Sequence, residues 1–362
     1  MKCIINGRVV LPDCVADNLA VIFSDKIEKI IPANEISLSD YEVIDAKGNY
    51  VYPGLIDIHS HGCIGIDTMD GEGLSELAKE YFRHGVTTWY PTTMTESYER
   101  IRKAMAQPLE RGEGEARTPG YHYEGPFINK KFKGAQNEAY IVAPDLDEYK
   151  NYVNPAVVTV APEVDGAIDF IREAAANGTC IALGHTECDF DTAMAAFAAG
   201  AKCLTHTCNA MPQMMHRAPG PIGAAMMSGA YAQVISDGLH MHPAMVNALY
   251  RMFGREKMVL ISDSIRACGL PEGEYELGGQ MFTVKDGAAR IANGSLAGST
   301  TPLFECVRRA ISFGIPREDA FAMASETPAA MLGINKGKIE VGYAAEFIVC
   351  SEENELLDTL IY

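Results

Sequence analysis

The alternation of strands and helices from residue 51 onward limits the fold of this chain more than any other feature of its sequence. Short runs rich in β-branched and aromatic residues recur, and amphipathic segments with a helical period separate them. Several of these segments begin near an Asp and stop at a Gly, which are favoured at helix starts and just beyond helix ends. Strands are predicted over residues 51–60, 85–93, 120–128, 156–163, 179–186, 201–208, 232–240 and 257–264.

Helices are predicted between these strands and after the last of them, over residues 73–84, 165–177, 189–199, 243–253, 301–313 and 317–332. Eight strands that alternate with helices over roughly 250 residues match an α/β fold of the (β/α)8 TIM barrel type. A doubly wound open sheet is the alternative, but no GxGxxG motif follows the first strand. The sequence therefore predicts a barrel over residues 51–334.

The two ends of the chain have a different pattern. Residues 1–50 contain short β-type runs broken by turn residues, and strand character returns over residues 335–362. The two segments are predicted to combine into one small β-sandwich domain beside the barrel. A Gly-rich excursion over residues 268–298 is predicted to form a hairpin near the barrel mouth.

Charge and hydropathy argue against several classes of partner. The net charge of −18 disfavours nucleic acid and anionic membranes, which require a basic protein surface. No apolar run approaches the ~18–20 residues of a membrane span, and the N-terminal MKCIINGRVV resembles a strand more than a signal peptide. We therefore expect a cytoplasmic protein whose ten cysteines, scattered without CxxC spacing, are reduced.

Polar side chains typical of metal and acid–base chemistry lie near the C-terminal ends of the predicted strands, where barrel enzymes place their catalytic groups. His59 and His61 end the first strand, and their spacing puts both imidazoles on one face. Later strands contribute Glu124, His185, His206, His240 and Asp263. A lone histidine is more often an ordinary core residue than a ligand, but seven such groups at one end of a barrel predict a reactive site.

Two histidines and a carboxylate, with room for water, are a donor set typical of catalytic zinc. Glu124, His185 and His206 supply this set from three strands. His59 and His61 suit a second ion nearby. Because a metal lowers the pKa of bound water, Asp263 is then placed to act as general base toward that water. The chain is predicted to bind one or two divalent ions, with zinc favoured and iron or manganese as alternatives.

Seven segments carry a resemblance to a known family, and they occur in the family's order along essentially the whole chain: PGLIDIHSHG, HYEGPF, GHT, LTHTCNAMP, SDGLHMHP, LISDS and LAGST. They resemble the metal-dependent amidohydrolases and, within that superfamily, the N-acetylglucosamine-6-phosphate deacetylase family. The HxH motif is shared by the superfamily, whereas EGPF followed by THxxNAMP and DGLH is more specific. The fourth strand lacks the terminal lysine that bridges two metals in many amidohydrolases, and this favours the deacetylases.

The resemblance implies hydrolysis of the acetamide of N-acetylglucosamine 6-phosphate to glucosamine 6-phosphate and acetate, in amino-sugar catabolism. It implies a homodimer, and it implies Asp263 as the proton donor and acceptor. Glu124, His185 and His206 are implied as the main metal ligands. His59 and His61 are interpreted as ligands of an optional second ion.

The resemblance also implies a set of substrate contacts, namely Ala135, Gln136, Asn209, Ala210, Arg217, His240, Leu296, Ala297 and Gly298. Among these, Arg217 is implied as a phosphate ligand. Gln136 stands where many members of the family carry histidine, and glutamine can donate to a sugar hydroxyl but cannot carry a charge.

Three alternatives remain open from the sequence. The substrate could be the galactosamine epimer, because the orientation of one hydroxyl is read by loop geometry. The chain could be another amidohydrolase that acts on an unphosphorylated acyl-amine or cyclic amide. It could also be a non-catalytic scaffold, although its intact set of ligands argues against that.

Overall fold

A computed structural model describes residues 1–362 of the chain. Its centre is a set of eight parallel strands, numbered in chain order as β1 (Leu55–Ser60), β2 (Val86–Pro91), β3 (Tyr121–Glu124), β4 (Pro155–Val160), β5 (Cys180–Leu183), β6 (Cys203–Leu204), β7 (Tyr231–Ile235) and β8 (Met258–Ile261). Strands β3 to β8 form one parallel sheet in chain order, and β1 pairs with β2 in another. All eight predicted strands are present.

The two parallel sheets meet at both edges. Between β2 and β3, Thr92 forms a parallel bridge with His122. Between β8 and β1, the N–H of Asp263 donates to the carbonyl oxygen of His59 at 2.9 Å. The buried carboxylate of Asp57 reinforces this second seam, because it accepts a hydrogen bond from the Ser262 hydroxyl at 2.5 Å. The C-terminal ends of the strands therefore share one mouth, as expected of an α/β barrel.

Helices accompany the strands and span Leu74–Arg83, Tyr98–Ala104, Leu146–Tyr149, Ala167–Ala176, Phe190–Ala199, Gly220–Ser228, Pro243–Phe253, Leu303–Ser312, Arg317–Ala322 and Glu326–Leu332. The helix predicted over residues 317–332 is thus two helices. The break lies at Met323 and Ala324, whose carbonyl oxygens accept the N–H groups of Leu260 at 2.9 Å and Ile56 at 2.8 Å. These two residues fill the seam between β8 and β1, so a continuous helix was a wrong prediction.

The strand predicted over residues 51–60 is also divided. Tyr50–Pro53 pairs with strands from the chain ends, whereas β1 begins after Gly54. Gly54 permits the close approach of the next strand, because a Cβ built there would lie 2.2 Å from the side chain of Thr87.

Strands from both ends of the chain form two further sheets. The first contains Ile27–Pro32, Leu19–Phe23, Lys2–Ile5 and Glu42–Asp45, and the second contains Leu356–Ile361, Glu346–Cys350, Tyr50–Pro53, Arg8–Val10 and Val15–Ala16. One buried apolar cluster is shared between these segments, with Val21, Phe23, Ile339 and Phe347 among its members. Lys336 forms an ion pair with Glu346.

The Gly-rich excursion is more extensive than the predicted hairpin. It forms three antiparallel strands, Gly273–Leu277, Gln280–Lys285 and Ala288–Ile291. A short pair, Gly62–Cys63 with Ile66–Asp67, follows β1. None of the helices has the length and apolar character needed to cross a membrane.

Candidate active site

Local backbone geometry directs three of the predicted site residues into the mouth of the barrel. His185, His206 and Asp263 each follow the end of a strand by two residues, after β5, β6 and β8. Their φ angles are positive, at 47°, 25° and 49°. Non-glycine residues seldom adopt this region, and each one held there costs on the order of 1–3 kcal/mol. Such strain at three strand ends is typical of a functional site.

Glu124 is the centre of the cluster. It is the last residue of β3 and is buried. Its Oε1 lies 3.1 Å from His206 Nε2, 3.2 Å from His59 Nε2 and 3.3 Å from His185 Nε2. Its Oε2 lies 3.4 Å from His61 Nε2. The structure therefore brings the four predicted histidine ligands around the fifth, the carboxylate of Glu124.

The donor atoms fall into two groups, one from Glu124, His185 and His206 and one from His59, His61 and Asp263. Within each group the donor atoms lie within 4.8 Å of one another. Asp263 Oδ1 lies 3.4 Å from both His59 Nε2 and His61 Nε2. The sequence predicted Asp263 only as an acid–base group, and the structure adds it as a candidate ligand.

Hydrogen bonds behind the cluster set the direction of two imidazoles. His59 Nδ1 lies 2.9 Å from Gln233 Oε1, and His185 Nδ1 lies 2.9 Å from the carbonyl oxygen of Phe132. Because these oxygens accept, each Nδ1 carries the proton and each Nε2 presents a lone pair to the cluster.

The cluster has the donors for a cation and lacks the protons to satisfy itself. His185 Nε2 faces His206 Nε2 at 3.0 Å, and the buried His59 Nε2 has no hydrogen-bond partner. Lone pairs that converge in a buried site require a cation between them. Nitrogen and carboxylate donors in these two groups therefore fit divalent metal ions.

The two buried carboxylates of the cluster need positive charge beside them, and either protonated imidazoles or a bound cation supplies it. Burial acts to lower the pKa of His61, but the hydrogen bonds and charges of Asp263 and Glu124 outweigh it and raise that pKa to about 10. Burial also opposes ionisation of the two carboxyls, yet the neighbouring imidazoles, led by His59, hold the pKa of Glu124 well below its usual range. His59 and His61 likewise lower the pKa of Asp263. Both carboxylates are therefore ionised at neutral pH, ready to bind a cation or accept a proton.

A cavity of about 460 Å³ opens above the cluster. Besides five of the six metal-binding candidates, all but His59, it is lined by eight of the nine predicted substrate contacts, namely Ala135, Gln136, Asn209, Ala210, His240, Leu296, Ala297 and Gly298. Its volume suits a small molecule.

Arg217 is the predicted contact that does not line this cavity. It is exposed on the loop after β6, where its guanidinium donates to His216 Nε2 at 2.7 Å. Its assignment as a phosphate ligand stays a prediction.

Gln136 is buried, and both ends of its amide are engaged. Its Oε1 accepts the Thr95 N–H at 2.7 Å, and its Nε2 donates to Glu124 Oε2 at 2.6 Å. The side chain thus links the backbone after β2 to the central carboxylate. This geometry indicates that Gln136 holds Glu124 in place, and it favours that role more than the predicted contact with a sugar hydroxyl.

Gly298 is the last residue of the excursion, at the point where the chain touches the backbone of Asp263. The N–H of Ser299 donates to the Asp263 carbonyl oxygen at 2.8 Å. Gly298 has φ +76°, and a Cβ there would lie 2.6 Å from Ile265 Cγ2 and 2.9 Å from the Asp263 carbonyl oxygen. Glycine is required at this position by both space and conformation.

Three residues near the site were missed by sequence reasoning: Asp57, Gln233 and Arg290. Asp57 and Gln233 are buried polar residues inside otherwise apolar strands, and that contrast is a signal that could have singled them out. Arg290 lines the cavity from the Gly-rich excursion, and no sequence signal identified it.

The comparison with protein-family models matches residues 50–361 to the amidohydrolase family. The chain belongs to this family. Among its curated relatives, this amidohydrolase is 36% identical over 323 residues to the N-acetylglucosamine-6-phosphate deacetylase of Vibrio furnissii, covering 85% of this chain and 81% of that one. It is 34% identical over 320 residues to the N-acetylgalactosamine-6-phosphate deacetylase of Escherichia coli O157:H7, covering 84% and 85%. The predicted resemblance is confirmed.

Solved structures give the same result for the fold of this amidohydrolase. The crystal structure of N-acetylglucosamine-6-phosphate deacetylase from Pasteurella multocida superposes with a TM-score of 0.92 at 27% identity, covering 99% of this chain and 98% of that one. A mutant of the Mycobacterium smegmatis enzyme in complex with N-acetyl-D-glucosamine-6-phosphate superposes with a TM-score of 0.89 at 27% identity, covering 99% and 97%.

Proposed function

We propose that this amidohydrolase hydrolyses the acetamide of N-acetylglucosamine 6-phosphate to glucosamine 6-phosphate and acetate, in amino-sugar catabolism. The observation that carries the proposal is the shared position of Glu124 between two donor groups, with Asp263 beside them on the floor of the cavity. The curated relatives named as deacetylases of N-acetylated amino-sugar 6-phosphates support the substrate class.

Two divalent ions, zinc by preference, suit the two donor groups, and one ion at Glu124, His185 and His206 is the minimum. When bound, such a metal supplies a Lewis acid that polarises the acetyl carbonyl and increases the acidity of water. The folded chain contributes the orientation of its ligands through Gln233 and Phe132.

Asp263 performs the proton transfers in this proposal. It is ionised, buried and at the cavity floor, so it accepts the proton of the attacking water. It then returns that proton to the sugar nitrogen, because an amide nitrogen leaves poorly as an anion. The carbonyl carbon gains the water oxygen and loses the nitrogen, which gives acetate and the free amine.

The remaining contacts bind the sugar phosphate. Asn209 and Ala210 follow the strained His206, and His240 reaches the cavity from the loop after β7. Leu296–Gly298 line the sugar on the opposite rim. Arg217 is kept as a proposed phosphate contact on the family resemblance alone, because its exposed side chain does not line the cavity.

The domain organisation proposed for this function is a (β/α)8 barrel over residues 51–334 that carries the site. A small β-sandwich of residues 1–50 and 335–362 supports it from outside. We propose a cytoplasmic location from the sequence alone.

The experiment that tests the function measures acetate release from N-acetylglucosamine 6-phosphate, its galacto epimer and unphosphorylated N-acetylglucosamine. The highest kcat/KM is expected for the gluco phosphate. A preference for the galacto phosphate would favour the alternative that the 34%-identical galactosamine enzyme represents. A preference for the unphosphorylated sugar would contradict the proposed substrate, and a metal-loaded protein without acetate release would contradict the reaction.

A further inference from the structure

The cavity is lined by one lysine and one arginine, Lys131 and Arg290, and no sequence motif includes either of them. Arg290 belongs to the last strand of the excursion, Ala288–Ile291, and lines the cavity. We propose that Arg290 binds the phosphate of the substrate and so determines the preference for a phosphorylated sugar. This inference rests on the proposed function.

A phosphate needs a local positive charge here because the rest of the chain repels it. The net charge is −18, and the cavity floor carries the ionised Glu124 and Asp263. Apart from histidines, the cationic side chains that line the cavity are Lys131 and Arg290. A guanidinium offers five N–H donors in a planar fork that matches phosphate oxygens.

Arg290 has no carboxylate partner, whereas Lys131 has one. Lys131 forms an ion pair with Glu187. The guanidinium of Arg290 donates through Nη1 to the carbonyl oxygen of Gly294 at 2.8 Å and lies within 4.0 Å of no carboxylate. Its remaining donors face no competing charge.

The location of Arg290 suits the end of the substrate that does not react. Its side chain is exposed at the rim, whereas Glu124 and Asp263 are 2% and 6% exposed at the floor. His240, on the loop after β7, lines the same cavity. Arg290 and His240 therefore reach the cavity from different elements of the fold.

The backbone around Arg290 is tied to the catalytic floor. Arg290 forms an antiparallel bridge with Leu296, and two residues further on the loop packs against Asp263 through Gly298. The Gln280 side chain of the same sheet donates to the carbonyl oxygen of Ala135 on the facing rim. The excursion is therefore anchored on both sides of the cavity, which fixes the backbone of Arg290 at the rim.

The test compares Arg290→Gln and Arg290→Lys with Lys285→Gln, an exposed cation on the neighbouring strand that does not line the cavity. Loss of charge-assisted hydrogen bonds predicts that Arg290→Gln raises KM for the phosphorylated sugar about 10- to 100-fold, with Arg290→Lys intermediate. The kcat and the hydrolysis of the unphosphorylated sugar are expected to stay within about threefold, and Lys285→Gln is expected to match wild type.

An unchanged KM for the phosphorylated sugar in Arg290→Gln would overturn the proposal, as would an equal rise for the unphosphorylated sugar. Calorimetric titration with inorganic phosphate separates this inference from the proposed function. Weaker phosphate binding by Arg290→Gln than by wild type supports the anion site even if no acetate is released. Equal binding by the two proteins refutes it even if the enzyme is a deacetylase.

Discussion

Gln136 could either hold Glu124 in place or contact the sugar, and its replacement by leucine separates these two roles. Leucine keeps the volume of the side chain and removes both of its hydrogen bonds. Glu124 would lose the donor at 2.6 Å from Oε2, a hydrogen bond to a charged group that is worth about 1.5–3 kcal/mol. If this hydrogen bond holds Glu124 in the geometry that binds metal, its loss lowers the affinity for metal roughly 10- to 150-fold. Loss of a group that orients a ligand typically weakens metal binding by about 10- to 100-fold, so that is the expected range.

The assay is competition between the protein and a chromogenic chelator, which reports the metal Kd independently of turnover. The free energy of unfolding, measured in urea, should also fall by about 1–3 kcal/mol, because the buried Thr95 N–H loses its acceptor. Gln213→Leu, at an exposed loop glutamine outside the cavity, is the control and should change neither quantity. A metal Kd within about threefold of wild type, together with a raised KM for the substrate, would refute this reasoning. It would show instead that Gln136 contacts the sugar.

Three further predictions concern other parts of the site. Gly298→Ala places a Cβ 2.6 Å from Ile265, so kcat should fall at least about tenfold, as measured by acetate release, with a loss of about 1–3 kcal/mol in unfolding free energy. Unimpaired activity would show that the loop moves freely. Asp237→Asn should lower the pKa of His240, because Asp237 raises it in the wild type. The ion pair between the two residues stabilises the folded state fully at pH values below the pKa of histidine in the unfolded chain. This stabilisation is lost as the pH rises through the pKa of His240 in the folded chain. The difference in unfolding free energy between wild type and this variant, measured in urea from pH 5.5 to 9, should therefore shrink with rising pH, and a constant difference would contradict it. His61→Ala disrupts one of the two donor groups and should remove one metal equivalent by elemental analysis, whereas loss of all metal would reverse the proposed order of importance.

The strand pattern and the strand-end residues could be predicted because their signals are local. A β-branched run, a turn and a polar residue at the strand end are all readable without tertiary structure, and this holds for Glu124, His185 and His206. The position of the metal-binding candidates at one mouth then follows from the barrel alone.

The rest depended on contacts between residues far apart in sequence. The sequence around Met323 and Ala324 has a helical pattern. The helix breaks there because the carbonyl oxygens of these two residues accept the N–H groups of Leu260 in β8 and Ile56 in β1. The helix Gly220–Ser228 is mostly buried and lacks an amphipathic period, so its sequence resembles a loop. The partners of Gln136 are Thr95 and Glu124, which no local pattern connects to it.

The seam between β8 and β1 also affects the order in which the protein is completed during synthesis. β1 is made early and carries two histidines, but the N–H of Ile56 finds its acceptor only in Ala324, near the end of the chain. Asp263, which completes the donor group with His59 and His61, is likewise made late. A nascent chain released before this point would contain the histidines without the geometry that orients them, since long-range contacts of this kind form late in folding. Assembly of the second donor group is thus coupled to the synthesis of almost the whole chain.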